Sequence, residues 1–285
     1  SNNTLLNSPS PVISNVTTVP VAPNYLDPVT ITATVTNATP TTVWMGFRDT
    51  KSDRFERVLM YDDGMHGDSA AGDNIYGVSI YASSLRIQYY LYAENTTSGI
   101  FSPERAEHEF YTVEVASQPL TAGTVVINEI LTSNSIQEDE YGESNDWIEL
   151  YNTSNAVVNL SGAHLSDAVS NPFRWTFREG TLIGPEAYLI VWADDDEEQW
   201  FNHTNFNLSS TEGALLLADS TGVILDEINY PLQAQNVSYG RYPNGSGSWT
   251  YLETTFESEN NSPLSVTGLD FFRKTLVAWP NPTSS

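Results

Sequence analysis

The sequence has no cysteine among its 285 residues. Disulfides and thiolate metal centres are therefore excluded. Basic residues are scarce: 11 Lys and Arg stand against 36 Asp and Glu, a formal net charge of −25. Such a surface repels nucleic acid and anionic membranes, because binding phosphates requires Lys and Arg to displace counterions. Nucleic-acid partners are accordingly not expected. No apolar run approaches the roughly 18 residues that span a bilayer, so no membrane insertion is expected either. Histidine is limited to His66, His108, His164 and His203, and none falls in the two-His spacing of a zinc enzyme. No serine sits in a nucleophile elbow, no glycine-rich phosphate loop precedes a helix, and no long helical period occurs.

What is present is alternation. Val29, Ile31, Ala33 and Val35 interleave with threonines, the period-two pattern of a strand with one buried face. Similar segments run over 12–16, 43–48, 55–61, 75–80, 88–95 and 110–115. About seven short strands in some 105 residues predict an immunoglobulin or fibronectin-III type sandwich over residues 12–116. Residues 1–11 read as a leader or linker, and 117–123, with Pro119 and Gly123, as an interdomain linker. The clearest alternation is Asp146-Trp147-Ile148-Glu149-Leu150-Tyr151-Asn152. Trp147, Glu149 and Tyr151 share one face, and Ile148, Leu150 and Asn152 the other. The aliphatic face suits a core. The aromatic face suits half-burial, with a partner for the acid. The fold class is all-β, with two immunoglobulin-like sandwiches in tandem.

Upstream of this strand lies Val125-Val126-Ile127-Asn128-Glu129-Ile130. Downstream come Leu160-Ser161-Gly162, Leu165-Ser166-Asp167, Arg174-Trp175-Thr176-Phe177, Tyr188-Leu189-Ile190-Val191-Trp192, His203-Thr204-Asn205-Phe206 and Val237-Ser238-Tyr239-Gly240-Arg241-Tyr242-Pro243. In this order and spacing they resemble the bacterial lamin-tail domain, over residues 124–257. The resemblance implies an immunoglobulin-like sandwich in a secreted bacterial protein, and a fold more than a biochemical function. Its H-T-N-F segment is expected to be a strand with a structural His203. Residues 258–268 read as a polar linker. Within 269–285, Trp279-Pro280-Asn281-Pro282 resembles the opening of the C-terminal sorting domain of the type IX secretion system of Bacteroidetes, cut short. That likeness implies engagement of the type IX export machinery and a secreted or outer-membrane-surface location. The chain opens at Ser1 rather than Met, as expected of a processed or excised segment.

Two acidic constellations are candidate sites. The loop over 62–74 holds Asp62, Asp63, Asp68 and Asp73 with Gly64, Gly67 and Gly72. It resembles a D-D-G-x-x-G-D-x-x-A-G-D-x-x-Y loop of immunoglobulin-like modules in secreted bacterial proteins. Its carboxylates and carbonyls offer hard oxygen ligands for a structural Ca²⁺. Alternatively, the Asp side chains cap their own backbone and the glycines supply positive φ. The second constellation is Glu129 and Glu149, with Asp146 and Asp167 nearby. These acids bind a cation, or each is satisfied by backbone amides or by Arg174, Arg178 or Arg241. The loop over 137–145 reads as mobile, and Asp194-Asp195-Asp196-Glu197-Glu198 as a solvated charge run. Trp175, Trp192, Trp200, Phe201, Trp249 and Tyr251 are candidate platform aromatics. The expected role is that of non-catalytic accessory modules of a larger secreted or surface bacterial protein, serving positioning, adhesion or partner binding. The partner is a protein or a polysaccharide, and any catalytic domain lies elsewhere. A carbohydrate-binding module is the alternative, with a carboxylate-based hydrolase after it.

Overall fold

The computed structural model describes residues 9–37, 42–51, 53–199 and 201–264. The expected sorting-domain start at 269–285 lies outside them. Among the described residues there is no helix, and the strands form antiparallel sheets. The chain divides into two compact units, Ser1–Ser117 and Gln118–Ser285.

The first unit contains β1 (Val12–Val19), β2 (Pro28–Thr36), β3 (Thr42–Arg48), β4 (Glu56–Leu59), β5 (Ile75–Tyr81), β6 (Arg86–Glu94), β7 (Gly99–Ser102) and β8 (Tyr111–Glu114). One sheet has the order β1-β2-β5. The other runs β4-β3-β6-β7, and β8 also pairs with β6. Alternation dictates the core: Val29, Ile31, Ala33 and Val35 of one sheet meet Val43, Met45, Ile87, Leu91 and Ala93 of the other. Between β4 and β5 the chain leaves one sheet for the other. A two-way backbone bridge between Tyr61 and Gly77 closes the intervening loop, with N–O distances of 3.0 and 2.8 Å. Gly77 is required there, since a Cβ would lie 2.2 Å from the His66 carbonyl oxygen.

The second unit contains β9 (Val125–Leu131), β10 (Asp146–Asn152), β11 (Val158–Asn159), β12 (His164–Ser166), β13 (Trp175–Thr176), β14 (Leu182–Ile183), β15 (Tyr188–Ala193), β16 (Gly213–Ala218), β17 (Ile224–Tyr230), β18 (Val237–Tyr242) and β19 (Ser248–Glu253). Its larger sheet has the order β15-β10-β9-β18-β19, and its smaller sheet β13-β12-β16-β17. Ile127, Ile130, Ile148, Leu150 and Val191 pack with Leu165, Leu215 and Leu217 to form the core between them.

The opposite face of the larger sheet is also buried, which the alternation alone does not disclose. Leu131, Trp147, Ile190 and Trp192 form a second apolar cluster with Phe256 packed on it. Phe256 belongs to a strap over residues 254–260 that follows β19. The strap continues onto the stretch expected to be a linker: Asn260 is buried, and the Leu264 amide donates to the Tyr251 carbonyl at 3.0 Å. The H-T-N-F segment is not a strand. It contacts β15 through one isolated bridge, Trp192 with His203, and the next residue along, Asn207, bridges to Asp194 just past β15.

Candidate functional site

Of the four aspartates in the 62–74 loop, three converge. Carboxylate oxygens of Asp62, Asp68 and Asp73 lie within 4.8 Å of one another. Asp62 accepts the amides of Gly72 at 2.7 Å, Asp73 at 3.2 Å and Asn74 at 3.0 Å. Asp73 accepts the Ile75 amide at 2.9 Å and the Ser69 hydroxyl at 3.0 Å. Asp68 Oδ2 accepts the Gly64 amide at 2.7 Å. Gly64, Gly67, Gly72 and Asn74 all have positive φ, which folds the loop back on itself. Asp63 is separated from this group. It accepts the Met65 amide and lies 3.0 Å from His66 Nδ1, and that contact holds its carboxyl below the usual range.

Glu129 and Glu149 sit directly opposite each other on β9 and β10, next to a register shift that leaves Asn128 as the extra residue. Both are fully buried. Their partners are amides and a hydroxyl, not arginines. Glu149 accepts Asn128 Nδ2 and the Glu257 amide, both at 2.9 Å. Glu129 accepts the Thr255 amide at 3.1 Å and contacts the Thr255 hydroxyl closely. Thr255 Oγ1 also lies 2.8 Å from Asn260 Oδ1. The Asn260 orientation is set by its Nδ2, which donates to the Arg241 carbonyl at 2.8 Å. A threonine hydroxyl has one hydrogen and here meets two acceptors. That one hydroxyl therefore ties Glu129 and Asn260 together through a single oxygen. Burial raises the Glu129 carboxyl. Burial also pushes Glu149 up to about 8, against the Asn128 hydrogen bond and with the Glu129 charge adding.

Asp146 does not join this pair. Strand alternation turns it to the opposite face, where the Leu208 amide bonds it and burial lifts it to about 7. Of the arginines, Arg174 pairs with Asp167 of this constellation at 2.6 Å, whereas Arg241 pairs with Asp226 at 2.9 Å and Arg178 donates to the Glu197 carbonyl at 3.0 Å.

A third cluster is not evident in the sequence. His203 is buried, with Nδ1 2.5 Å from Asp194 and Nε2 3.3 Å from Glu140. Asp139, Asp194 and His203 also converge within 4.8 Å. Asp194 opens the charge run, yet its side chain is only 2% exposed; residues 195–198 are exposed as expected. The acidic 137–145 loop is cross-tied rather than loose. Asn134 Nδ2 donates to the carbonyls of Gln137 and Asn145, Asp139 accepts the Tyr141 and Glu143 amides, and the Tyr141 hydroxyl reaches the Gln199 carbonyl at 2.9 Å. The only signal for this cluster was an acid placed directly after the apolar β15.

Among the platform aromatics, Trp175 and Trp192 are core residues, and Trp200 lies outside the described residues. Trp249 stacks on Tyr239, with ring centroids 5.4 Å apart, and Tyr251 lies against the same ring at 5.2 Å. All three are partly exposed.

No curated protein matches the chain. Two solved structures are similar to it, each over 79% of this chain and 20% of the other, with a TM-score of 0.26. One is a cycloalternan-forming enzyme from Listeria monocytogenes in complex with a pentasaccharide substrate, 12% identical. The other is an uncharacterized protein of Listeria monocytogenes in complex with glucose, magnesium and calcium, 9% identical. The chain thus spans about a fifth of the length of those structures. Residues 118–231, from the start of the second unit to the residue after β17, match the family described as the Lamin Tail Domain, an immunoglobulin-like β-sandwich.

Proposed function

We propose that the chain is a pair of non-catalytic interaction modules of a secreted or cell-surface bacterial protein, serving to position or attach it through a protein or polysaccharide partner. One observation carries this reading. The facing carboxyls that a hydrolase would need, Glu129 and Glu149, are sealed under the strap and spent on its amides. A general acid or base must reach the atom it serves, and no substrate atom reaches a fully buried carboxyl. The fold of residues 118–231 supports the same reading. Export is supported by the W-P-N-P resemblance at 279–282, and the scarcity of Lys and Arg speaks against a nucleic-acid partner. No helix among the described residues is long and apolar enough to cross a membrane.

Carbohydrate binding is the second reading, favoured by the partly exposed row of Trp249, Tyr239 and Tyr251. Stacking on sugar rings is one use of such a row. One experiment separates the readings. The whole chain is incubated with a panel of polysaccharides and matrix proteins, and bound material and products are measured in the same reactions. Saturable binding without turnover is expected. Loss of glycan binding in Trp249→Ala supports the second reading, whereas turnover of any polymer overturns both.

A further inference from the structure

We infer that the 62–74 loop of the first unit is a site for a hard divalent cation of the calcium class, held by Asp62, Asp68 and Asp73, with Asp63 excluded. The convergence of three carboxylates within 4.8 Å is not sufficient, since surface acids cluster freely. The decisive feature is Asp68. It is only 6% exposed, and its Oδ1 is buried with no hydrogen-bond partner among the described residues. A buried, unpartnered carboxylate oxygen costs free energy, and two further carboxylates beside it add repulsion. No ion pair of the described residues reaches any of the three. The one imidazole of the loop, His66, is turned to Asp63 and stacks on Tyr61 at 4.5 Å. A divalent cation removes both costs at once.

The donor set selects the class of ion. It is all oxygen, with no thiolate anywhere in the chain and with the nearest imidazole engaged. Hard cations take such ligands. An irregular loop with carbonyls and water able to complete six to eight positions suits calcium better than magnesium, which demands a tight octahedron. The amide bonds to Asp62, Asp68 and Asp73 each leave lone pairs free, so they orient the carboxylates without exhausting them. The location gives the ion a task. The loop joins β4 in one sheet to β5 in the other, so a bound cation staples the two sheets where the chain crosses between them.

The test is calorimetric titration of the whole, chelator-treated chain with calcium chloride, alongside magnesium chloride, with melting followed in parallel. One saturable calcium site is expected, in the range of about 10⁻⁴ to 10⁻³ M typical of extracellular modules. It should bind magnesium at least tenfold more weakly, and the melting point should rise with calcium. Asp68→Asn and Asp73→Asn should each weaken binding at least tenfold, while Asp63→Asn leaves it unchanged. Asp73 is exposed, so its variant carries the test if Asp68→Asn fails to fold. Absence of saturable binding to about 10 mM overturns the inference. So does binding that Asp73→Asn leaves intact, which would place the ion among the other acids of this strongly anionic chain.

Discussion

Glu149 shows how a single residue can mislead and inform together. Its place on β10, on the face shared with Trp147, follows from alternation. Its full burial does not, because the covering strap comes from more than a hundred residues later. That burial has a measurable consequence. The folded carboxyl titrates at about 8, against 4.5 for the free side chain. Between those values the folded state holds a proton that the unfolded chain has released. The stabilisation from this group is complete below about pH 4.5 and is lost as the pH rises through about 8. Glu129, also raised, acts in the same direction. The melting point should therefore fall between pH 5 and pH 8, and the fall should be shallower in Glu149→Gln. The slope is the readout, since the new amide turns an N–H toward Asn128 Nδ2 or the Glu257 amide and lowers the melting point by itself. A melting point that rises over this range would contradict the assignment. Thr255 tests the same network from the other side. Thr255→Val removes the hydroxyl between Glu129 and Asn260 and should cost about 1–3 kcal/mol in denaturant unfolding of the second unit. A cost near zero would show that the network contributes nothing.

At the scale of elements, strands of strict period were legible: β2 and β10 stand where the pattern puts them. The strap was not, because residues 254–260 carry no period and read as the tail of a domain. The matched region also stops at 231, before β18, β19 and the strap, although β18 pairs directly with β9. The His203 cluster escaped for a related reason. Asp194 and Glu140 reach it from two loops that composition marks as solvated. Among the loop aspartates, membership of a cluster was legible, but the separation of Asp63 from Asp62 was not, because adjacent residues differ here only in backbone turn. The strap makes a prediction of its own. Phe256 meets Trp147 edge-on at 5.4 Å and Trp192 at 5.8 Å. Phe256→Ala should destabilise the second unit by about 2 kcal/mol, less than the roughly 3–5 for a fully buried phenylalanine. It should also red-shift the tryptophan emission as water reaches both rings. Unchanged emission would mean that the strap does not shield them.

For the molecule as a whole, the charge of −25 and the buried carboxyls lead to one account. The acids that face each other in the second unit hold structure together, and under the proposed function a partner would be met at the surface. The loop site of the first unit is separable from this account and stands or falls on its own titration. The account itself depends on Glu129 and Glu149 being sealed from water. The most direct measurement is carbon-13 NMR of the glutamate carboxyls across a pH titration of the whole chain, with Glu149→Gln assigning the signal. The pair is coupled, so the apparent values belong to both groups. The account predicts a step near pH 8, far above the 4.5 of an ordinary glutamate. A pair that titrates entirely near 4.5 would mean that water reaches the carboxyls, that the strap does not close over them, and that a reactive role is open to them.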